Sequence, residues 1–140
     1  MVGIGKIVEG FNSVISAIDS DRAEKIIYLE TGRGASNRLE KLIISANSKG
    51  LTVEKVSRKE DWIYNSRQTV VALCIPKKTY NESSIDKLKS SNIVVLDHIQ
   101  DTNNFGAITR SAAAFNFNIV CLPKKRSVTI TERTFSVSSG

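Results

Sequence analysis

The sequence predicts an α/β fold made of two α/β units in succession. β-Branched apolar runs alternate with segments of helical periodicity, a pattern that favours sheets covered by helices. The run TVVALCI is almost continuously apolar, as is typical of a strand buried on both faces. A stretch rich in Ser, Asn and Lys then interrupts the pattern. We interpret it as a linker at residues 77–92, between units at residues 1–76 and 93–140.

The first predicted helix follows Gly10. The segment GFNSVISAI repeats its apolar residues at intervals of three and four, the spacing of one helix face. These residues are Phe11, Val14, Ile15 and Ile18. Strands are predicted at KIIYLE and LTVEKV, and the linker is expected to contain a short helix around Ile85 to Lys89.

The segment NRLEKLIISANSKG predicts a second helix. Asn37 and Glu40 stand in the capping-box relation, and Gly50 marks the end of the helix. Its apolar face consists of Leu39, Leu42, Ile43 and Ala46. Ser57 and Glu60 repeat the capping pattern, so a further helical segment is predicted at SRKEDWIY.

The second unit is predicted as the strand IVVLD, the loop HIQDTN, the helix NFGAITRSAAAF and the strand IVCL. Its loop follows the carboxyl end of the first of these strands. Ligands of open α/β sheets bind at that edge. The loop and the start of the helix are therefore the candidate functional site.

The helix after this loop has two contrasting faces. Asn104 is expected to cap its first turn, and Asn103 lies on about the same side as Arg110. Gly106, four residues before Arg110, leaves room for a ligand or a second chain segment to approach the backbone. The opposite face is apolar and is expected to pack on the sheet; it consists of Phe105, Ile108 and Ala112.

A purely structural interpretation of these residues stays open at this point. The asparagines would only cap the helix, Gly106 would only relieve crowding, and Arg110 would only pair with Asp97 or Asp101. Spacing alone does not separate this interpretation from a ligand-binding corner.

The composition argues against a metal site and a membrane protein. Cys74 and Cys121 lie in apolar strand-like runs, where a thiol usually acts as a small hydrophobe. The sequence has no CxxC or HExxH pattern, and His98 has no neighbours at ligand spacing. No apolar run approaches the ~20 residues that span a bilayer, and no signal peptide is recognisable. We expect no metal, no membrane partner and a cytoplasmic location.

The charge balance favours a polyanionic partner. The formal net charge is +6, and the pI is near 9.5. Before Ile93 there are 15 Lys and Arg against 11 Asp and Glu, and from Ile93 onward 5 against 3. Both units are mildly basic, so any nucleic-acid surface would come from folded segments. A solubilising surface charge explains the same excess.

The stretch from Leu96 to Phe115 resembles the first motif of the SpoU (TrmH) family of RNA 2'-O-methyltransferases. That motif has a strand ending in LD, then D-x-x-N-x-G-x-x-x-R and an alanine-rich helix. The matching residues are Leu96, Asp97, Asp101, Asn104, Gly106 and Arg110. CLPKKRS and FSVSSG are similar to later elements of the same domain, with Ser136 where a lysine is common. Residues 1–76 resemble the small N-terminal substrate-binding domain of ribosomal-RNA members, which is similar to ribosomal protein L30e.

The resemblance implies an L30e-like RNA-binding domain followed by part of an α/β-knot (SPOUT-type) methyltransferase domain. It implies S-adenosylmethionine as cofactor, RNA (in particular ribosomal RNA) as substrate, and a homodimer. It assigns Arg110 to the ribose 2'-hydroxyl, where we expect a donor clamp because a guanidinium is a poor base. Asn104 would fix the loop or contact the ribose, and Asp97, Asp101 and Gly106 form the structural part of the motif.

Further RNA contacts are expected outside this motif. Gln68 is the residue kept from the N-H-Q-G pattern of the family's small domain. The basic residues near two polar turns are expected to contact phosphates, although each would also be stable in solvent; they are Arg33, Arg38, Lys124, Lys125 and Arg126.

The family's G-S-E-x-x-G and S-L-N-V-S-V-A segments, which form the knot and the cofactor pocket, do not occur in these 140 residues. We therefore interpret the chain as the front part of a methyltransferase and expect these residues to bind S-adenosylmethionine weakly or not at all. Three functions stay open: RNA ribose 2'-O-methylation, RNA binding without catalysis, and a nonfunctional fragment in which only the first unit is stably folded.

Overall fold

The computed structural model describes residues 4–32, 36–64, 67–87, 92–130, 134 and 137–138. Strands and helices alternate, which confirms the α/β class. In chain order the elements are β1 (Ile7–Glu9), α1 (Phe11–Asp19), β2 (Ala23–Leu29), α2 (Asn37–Ser48), β3 (Thr52–Val56), β4 (Val70–Cys74), β5 (Ile93–Val95), α3 (Thr102–Ala114) and β6 (Ile119–Cys121). Short 3₁₀ helices lie at Lys59–Asp61 and Glu82–Lys87.

The sheet of the first unit is mixed, with strand order β1-β4-β2-β3. β2 pairs parallel with β3 and antiparallel with β4, and β4 pairs antiparallel with β1. The predicted doubly buried strand is confirmed, because Val70, Val71 and Ala72 of β4 are completely buried. Strand β1 was not predicted, and it is only three residues long. Pairing with β4 along its whole length holds β1 in the sheet.

Helix α1 begins after Gly10 as predicted, but its buried face is rotated from the predicted one. Val14 and Ile18 are buried, whereas Ile15 is 37% exposed and its predicted burial was wrong. Ser13 and Ala17 are buried in its place. Small side chains at these two positions allow the helix to approach the sheet closely.

Helix α2 is confirmed, with its cap one residue earlier than predicted. The Ser36 hydroxyl accepts a hydrogen bond from the Leu39 backbone N–H at 3.2 Å. Asn37 is therefore the first helical residue rather than the cap. Gly50 follows the C-terminal turn with φ of 69°, a conformation that favours glycine. Leu42 and Ala46 pack into the core with α1, β2 and β4.

The helix predicted at SRKEDWIY is reduced to the 3₁₀ turn Lys59–Asp61. An Arg58–Asp61 ion pair of 2.8 Å closes this turn. Trp62 and Tyr64 pack edge to face, with ring centroids 5.1 Å apart, and Ile63 is exposed. The prediction was wrong because these apolar residues form no common face that a helix would bury.

The second unit has a two-stranded parallel sheet of β5 and β6, with α3 packed on it. Its buried core consists of Leu96, Phe105 and Val128. Phe105 and Ala112 are buried and Ile108 packs beside them, so the predicted apolar face of this helix is confirmed. Ile130 packs against this core and also against the core of the first unit.

The segment between the units is more ordered than a flexible linker. An antiparallel bridge joins Lys77 to Ile4, and the 3₁₀ helix Glu82–Lys87 follows. The short helix predicted around Ile85 to Lys89 therefore begins earlier, and residues 88–89 lie outside the described part of the chain. Among the described residues, no helix is long and apolar enough to cross a membrane.

Candidate functional site

The start of α3 is fixed by Asp101. Its carboxylate Oδ1 accepts a hydrogen bond from the Asn104 backbone N–H at 2.7 Å. The predicted capping by the Asn104 side chain was therefore wrong. A carboxylate competes better for this position because its negative charge also interacts favourably with the positive end of the helix dipole. The Asn104 side chain lies exposed on the first turn, and its role toward a ribose stays a prediction.

The other acidic residue of the loop ahead of α3, Asp97, contacts its neighbour His98. Asp97 Oδ1 lies 2.5 Å from Nδ1 of His98, and both side chains are exposed. His98 has φ of 56°, the left-handed conformation of a tight turn. Asp97 and Asp101 therefore both have partners other than Arg110.

Arg110 is exposed on α3 and lines a cleft of about 780 Å³. Within the described part of the chain, no ion pair or hydrogen bond engages its guanidinium. The purely structural interpretation, in which Arg110 pairs with Asp97 or Asp101, is wrong. The guanidinium keeps its planar set of N–H donors available for a carboxylate, phosphate or developing oxyanion.

Gly106 lies buried on α3, four residues before Arg110, beneath the chain at Val137 and Ser138. A Cβ built on Gly106 would lie 2.6 Å from Val137 Cγ1 and 3.2 Å from the Ser138 backbone nitrogen. The expected close approach is confirmed, and the approaching group is a second chain segment. That segment lies against the same helix as Arg110, and Ser138 also lines the cleft.

The basic turn after β6 lies at the same sheet edge as the motif loop. The Val128 backbone N–H donates to the Ile99 carbonyl at 2.7 Å, and this bond ties the two loops together. The turn itself is closed by Ser127, whose hydroxyl donates to the Pro123 carbonyl at 2.6 Å. Lys124 lines the Arg110 cleft. Lys125 and Arg126 are exposed on the same turn but outside the lining.

Two predicted RNA-binding residues of the first unit meet in a smaller pocket of about 230 Å³. The Arg38 guanidinium donates to Asn12 Oδ1 and lies 4.9 Å from the centroid of the Phe11 ring. Gln68 packs over Gly10, where an added Cβ would meet its Oε1 at 2.9 Å. Phe11 and Asn12 also line this pocket, and neither was predicted as a site residue. Arg33 lies outside the described residues.

Burial shifts three pKa values where the first unit meets the connecting segment. Burial raises the pKa of the Cys74 thiol. Two smaller electrostatic effects act on the same pKa: Arg22 lowers it and Glu24 raises it. Burial also lowers the pKa of Arg22, which donates hydrogen bonds to the carbonyls of Gly5 and Ile75. Burial, and then the charge of Arg22, lowers the pKa of Lys77. The neutral, buried Cys74 is the small hydrophobe that the sequence predicted.

Within the described ranges, no group of three or more His, Cys, Asp or Glu side chains is placed to hold a metal ion. Cys121 is a free thiol on β6, partly buried, and it lines the Arg110 cleft. The Arg110 cleft and the Arg38 pocket are suited to bind anions and hydrogen-bond acceptors, because both contain guanidinium donors.

Two family models match the chain in succession. Residues 7–80 match the model described as RNA 2'-O ribose methyltransferase substrate binding, which is more than half of the chain. Residues 91–140 match the SpoU rRNA Methylase family. The chain belongs to the SpoU methyltransferase family. The Arg110 helix lies in the second match, and the Arg38 pocket lies in the first.

Curated relatives agree with this assignment to the SpoU family. The chain is 32% identical to the 23S rRNA (guanosine-2'-O-)-methyltransferase RlmB of Acinetobacter baylyi, over 94% of this chain and 56% of the relative. It is 30% identical to an uncharacterized tRNA/rRNA methyltransferase of Mycolicibacterium gilvum, over 96% of this chain and 46% of the relative. The chain thus spans about half the length of the curated relatives it matches.

Solved structures show the same fold. The SpoU methyltransferase AviRb of Streptomyces viridochromogenes superposes with a TM-score of 0.68 at 16% identity, covering 96% of this chain and 49% of that one. The complex of AviRb with AdoMet gives a TM-score of 0.65, also at 16% identity, covering 96% of this chain and 51% of that one. The α/β architecture of both units is therefore that of SpoU methyltransferases.

Proposed function

We propose that this chain is part of an S-adenosylmethionine-dependent RNA 2'-O-methyltransferase whose substrate is ribosomal RNA. The observation that carries the proposal is the Arg110 guanidinium, which is exposed beside a cleft and keeps its donors available. Family membership supplies the reaction type, and the similarity to RlmB supports ribosomal RNA. The cytoplasmic location and the homodimer stay predictions.

Methyl transfer to a ribose 2'-hydroxyl is an in-line displacement at the donor methyl carbon. The hydroxyl oxygen must be held in line and must lose its proton during attack. A guanidinium has a pKa above about 12, so Arg110 is unsuited to remove that proton. Its donors instead orient the neighbouring phosphate and stabilise negative charge on the attacking oxygen. The 2'-hydroxyl requirement selects RNA over DNA.

The cleft beside Arg110 does not fit the cofactor itself. S-Adenosylmethionine carries a sulfonium, an ammonium and a carboxylate group and so has a net positive charge, whereas the charged groups among the described lining residues are four cations and one carboxylate. These groups are Lys77, Lys78, Arg110, Lys124 and Glu82. Like charges oppose binding of a cationic ligand, so we assign this cleft to RNA.

The test is transfer of labelled methyl groups to ribosomal RNA by the product of the complete reading frame that contains this chain. Arg110→Ala is expected to lower turnover by about 100-fold or more, the effect of losing a group that stabilises charge in the transition state. RNA affinity should stay within a few-fold. Arg110→Lys keeps the positive charge but loses the planar set of guanidinium donors. Its turnover would therefore show how much of the effect of Arg110 comes from charge and how much from the geometry of its hydrogen bonds. Unchanged turnover in Arg110→Ala would contradict the assignment.

RNA binding without catalysis is the second candidate, favoured by the Arg38 pocket on the well-packed first unit. Titration of the 140-residue chain with RNA at increasing salt separates the two. Binding led by phosphate contacts weakens steadily as salt rises. Arg38→Ala should weaken RNA binding because it removes one cation. An RNA affinity that is independent of salt concentration would argue against this function.

A further inference from the structure

The connecting segment forms one wall of the Arg110 cleft. Residues Lys77 to Glu82 line it from one side, and α3 and the flank of β6 line it from the other. Backbone hydrogen bonds of 2.9 and 2.8 Å between Ile4 and Lys77 hold the start of this wall against the first unit. At its far end Asn81 Oδ1 accepts hydrogen bonds from the Ser83 and Ser84 hydroxyls, at 2.8 and 2.9 Å. The start of the wall is therefore held against the first unit, and its far end is ordered by local hydrogen bonds.

Tyr80 stands in the middle of this wall and is 52% exposed. Phe105, the other aromatic residue lining the cleft, is buried in the core of the second unit. Tyr80 is thus the aromatic ring that the described lining leaves accessible. An exposed ring at a cleft mouth offers a flat face for stacking, and every nucleobase presents a complementary face.

Four cations line the cleft together with this ring. Lys77 and Lys78 belong to the connecting segment, as Tyr80 does, and Arg110 and Lys124 belong to the second unit. Glu82 is the carboxylate among the described lining residues. An aromatic face in one cleft with cations is the arrangement that binds single-stranded RNA, because cations track phosphates while the ring stacks a base.

We propose that Tyr80 is a stacking platform for a base of single-stranded RNA in the Arg110 cleft. The connecting segment is then a substrate-binding element and not only a spacer. The inference rests on the proposed function in that RNA is the occupant. It adds a positioning residue: a base stacked on Tyr80 would hold the strand so that a ribose lies near Arg110. RNA entering the cleft would be unpaired at that point, because a stacked base must leave its helix.

The test is binding of a fluorescently labelled hexaadenylate to the 140-residue chain, measured by anisotropy at fixed salt. Tyr80→Ala is expected to weaken binding about ten-fold, within the range for loss of one base–aromatic stack. Tyr80→Phe keeps the ring and should bind as the unchanged chain does. Phe115→Ala removes an even more exposed ring, 75% against 52% for Tyr80, that lies outside the cleft lining, and it should leave the affinity unchanged.

Cys121 provides an independent readout because it lines the same cleft. Saturating hexaadenylate should slow alkylation of Cys121 by iodoacetamide, and this protection should weaken in Tyr80→Ala. Cys74 is 1% exposed and serves as the unreactive internal control. Protection without RNA that grows with protein concentration would assign the cleft to a second copy of the chain and overturn the proposal.

The remaining outcomes separate this inference from the proposed function. Equal affinity of the unchanged chain and Tyr80→Ala would refute the stacking role and leave RNA methylation untouched. Weaker binding by Tyr80→Ala without protection of Cys121 would place the bound RNA outside the Arg110 cleft and would also refute the proposal. No binding by the unchanged chain would overturn both the inference and RNA recognition by these residues.

Discussion

The two units differ in how many apolar side chains they bury in their cores. The core of the first unit draws on both helices and on three strands, β1, β2 and β4. The core of the second unit, within the described residues, is a cluster of Leu96, Phe105 and Val128. Exposed large apolar side chains occur in both units, among them Ile63 at 84% in the first and Phe115 at 75% in the second, so the difference lies in the cores. Burial of apolar surface is the main stabilising contribution in folding, so the first unit is expected to be the more stable.

Three polar side chains that line the cleft belong to the second unit, which has the smaller buried core. Arg110, Lys124 and Cys121 all lie beside the cleft and belong to the second unit. Binding segments are often found at the less stable end of a structure, because groups that contact a ligand cannot also be packed in a core. Ile130 packs against both cores, so we expect the stability of one unit to affect the other through this side chain.

The largest expected effect comes from truncating a core residue in each unit. Leu42→Ala and Phe105→Ala are each expected to lower the free energy of unfolding by about 2–5 kcal/mol, from lost burial and the cavity left behind. Leu42→Ala should shift the later transition in urea unfolding followed by circular dichroism, and Phe105→Ala the earlier one. A single transition shifted equally by both variants would show that the units unfold together, and the comparison would fail.

A smaller effect is expected from Gly106→Ala. The new Cβ would lie 2.6 Å from Val137 Cγ1 and 3.2 Å from a backbone nitrogen, so the overlying segment must move. Overpacking of this kind costs about 1–3 kcal/mol, partly offset by the better helix propensity of alanine, about 1 kcal/mol. Limited proteolysis should then cut faster near Val137 than in the unchanged chain. Ala107→Gly, at an exposed position of the same helix, is the matched control for helix propensity.

The smallest expected effect comes from the two helix caps, one in each unit. Asp101→Ala and Ser36→Ala each remove a side-chain acceptor for a backbone N–H and should cost about 1 kcal/mol. Asp101→Asn and Ser36→Thr keep an acceptor and should recover most of the loss. Urea unfolding measures both pairs. A larger loss from Ser36→Ala than from Asp101→Ala would argue against a charged contribution at the α3 cap.

The local patterns of the sequence were sufficient for most elements and for the motif. Three- and four-residue spacing located α1, α2 and α3, and the β-branched runs located five of the six strands. The motif correctly indicated a close chain approach at Gly106. The errors were at positions where neighbouring residues compete for one role, such as Asp101 and Asn104 for the α3 cap. Both can cap a helix, and the path of the loop decides which one does.

What the sequence determined by itself was the α/β class, the family and the residues of the Arg110 motif, because these depend on periodicity and on patterns within about twenty residues. Only the tertiary structure decided the strand order β1-β4-β2-β3, the meeting of Arg38 with Gln68, and the cleft between Tyr80 and Arg110. These features join residues from about thirty to more than sixty positions apart. Such contacts depend on how complete helices and sheets pack together, which the local pattern of apolar and polar residues does not specify.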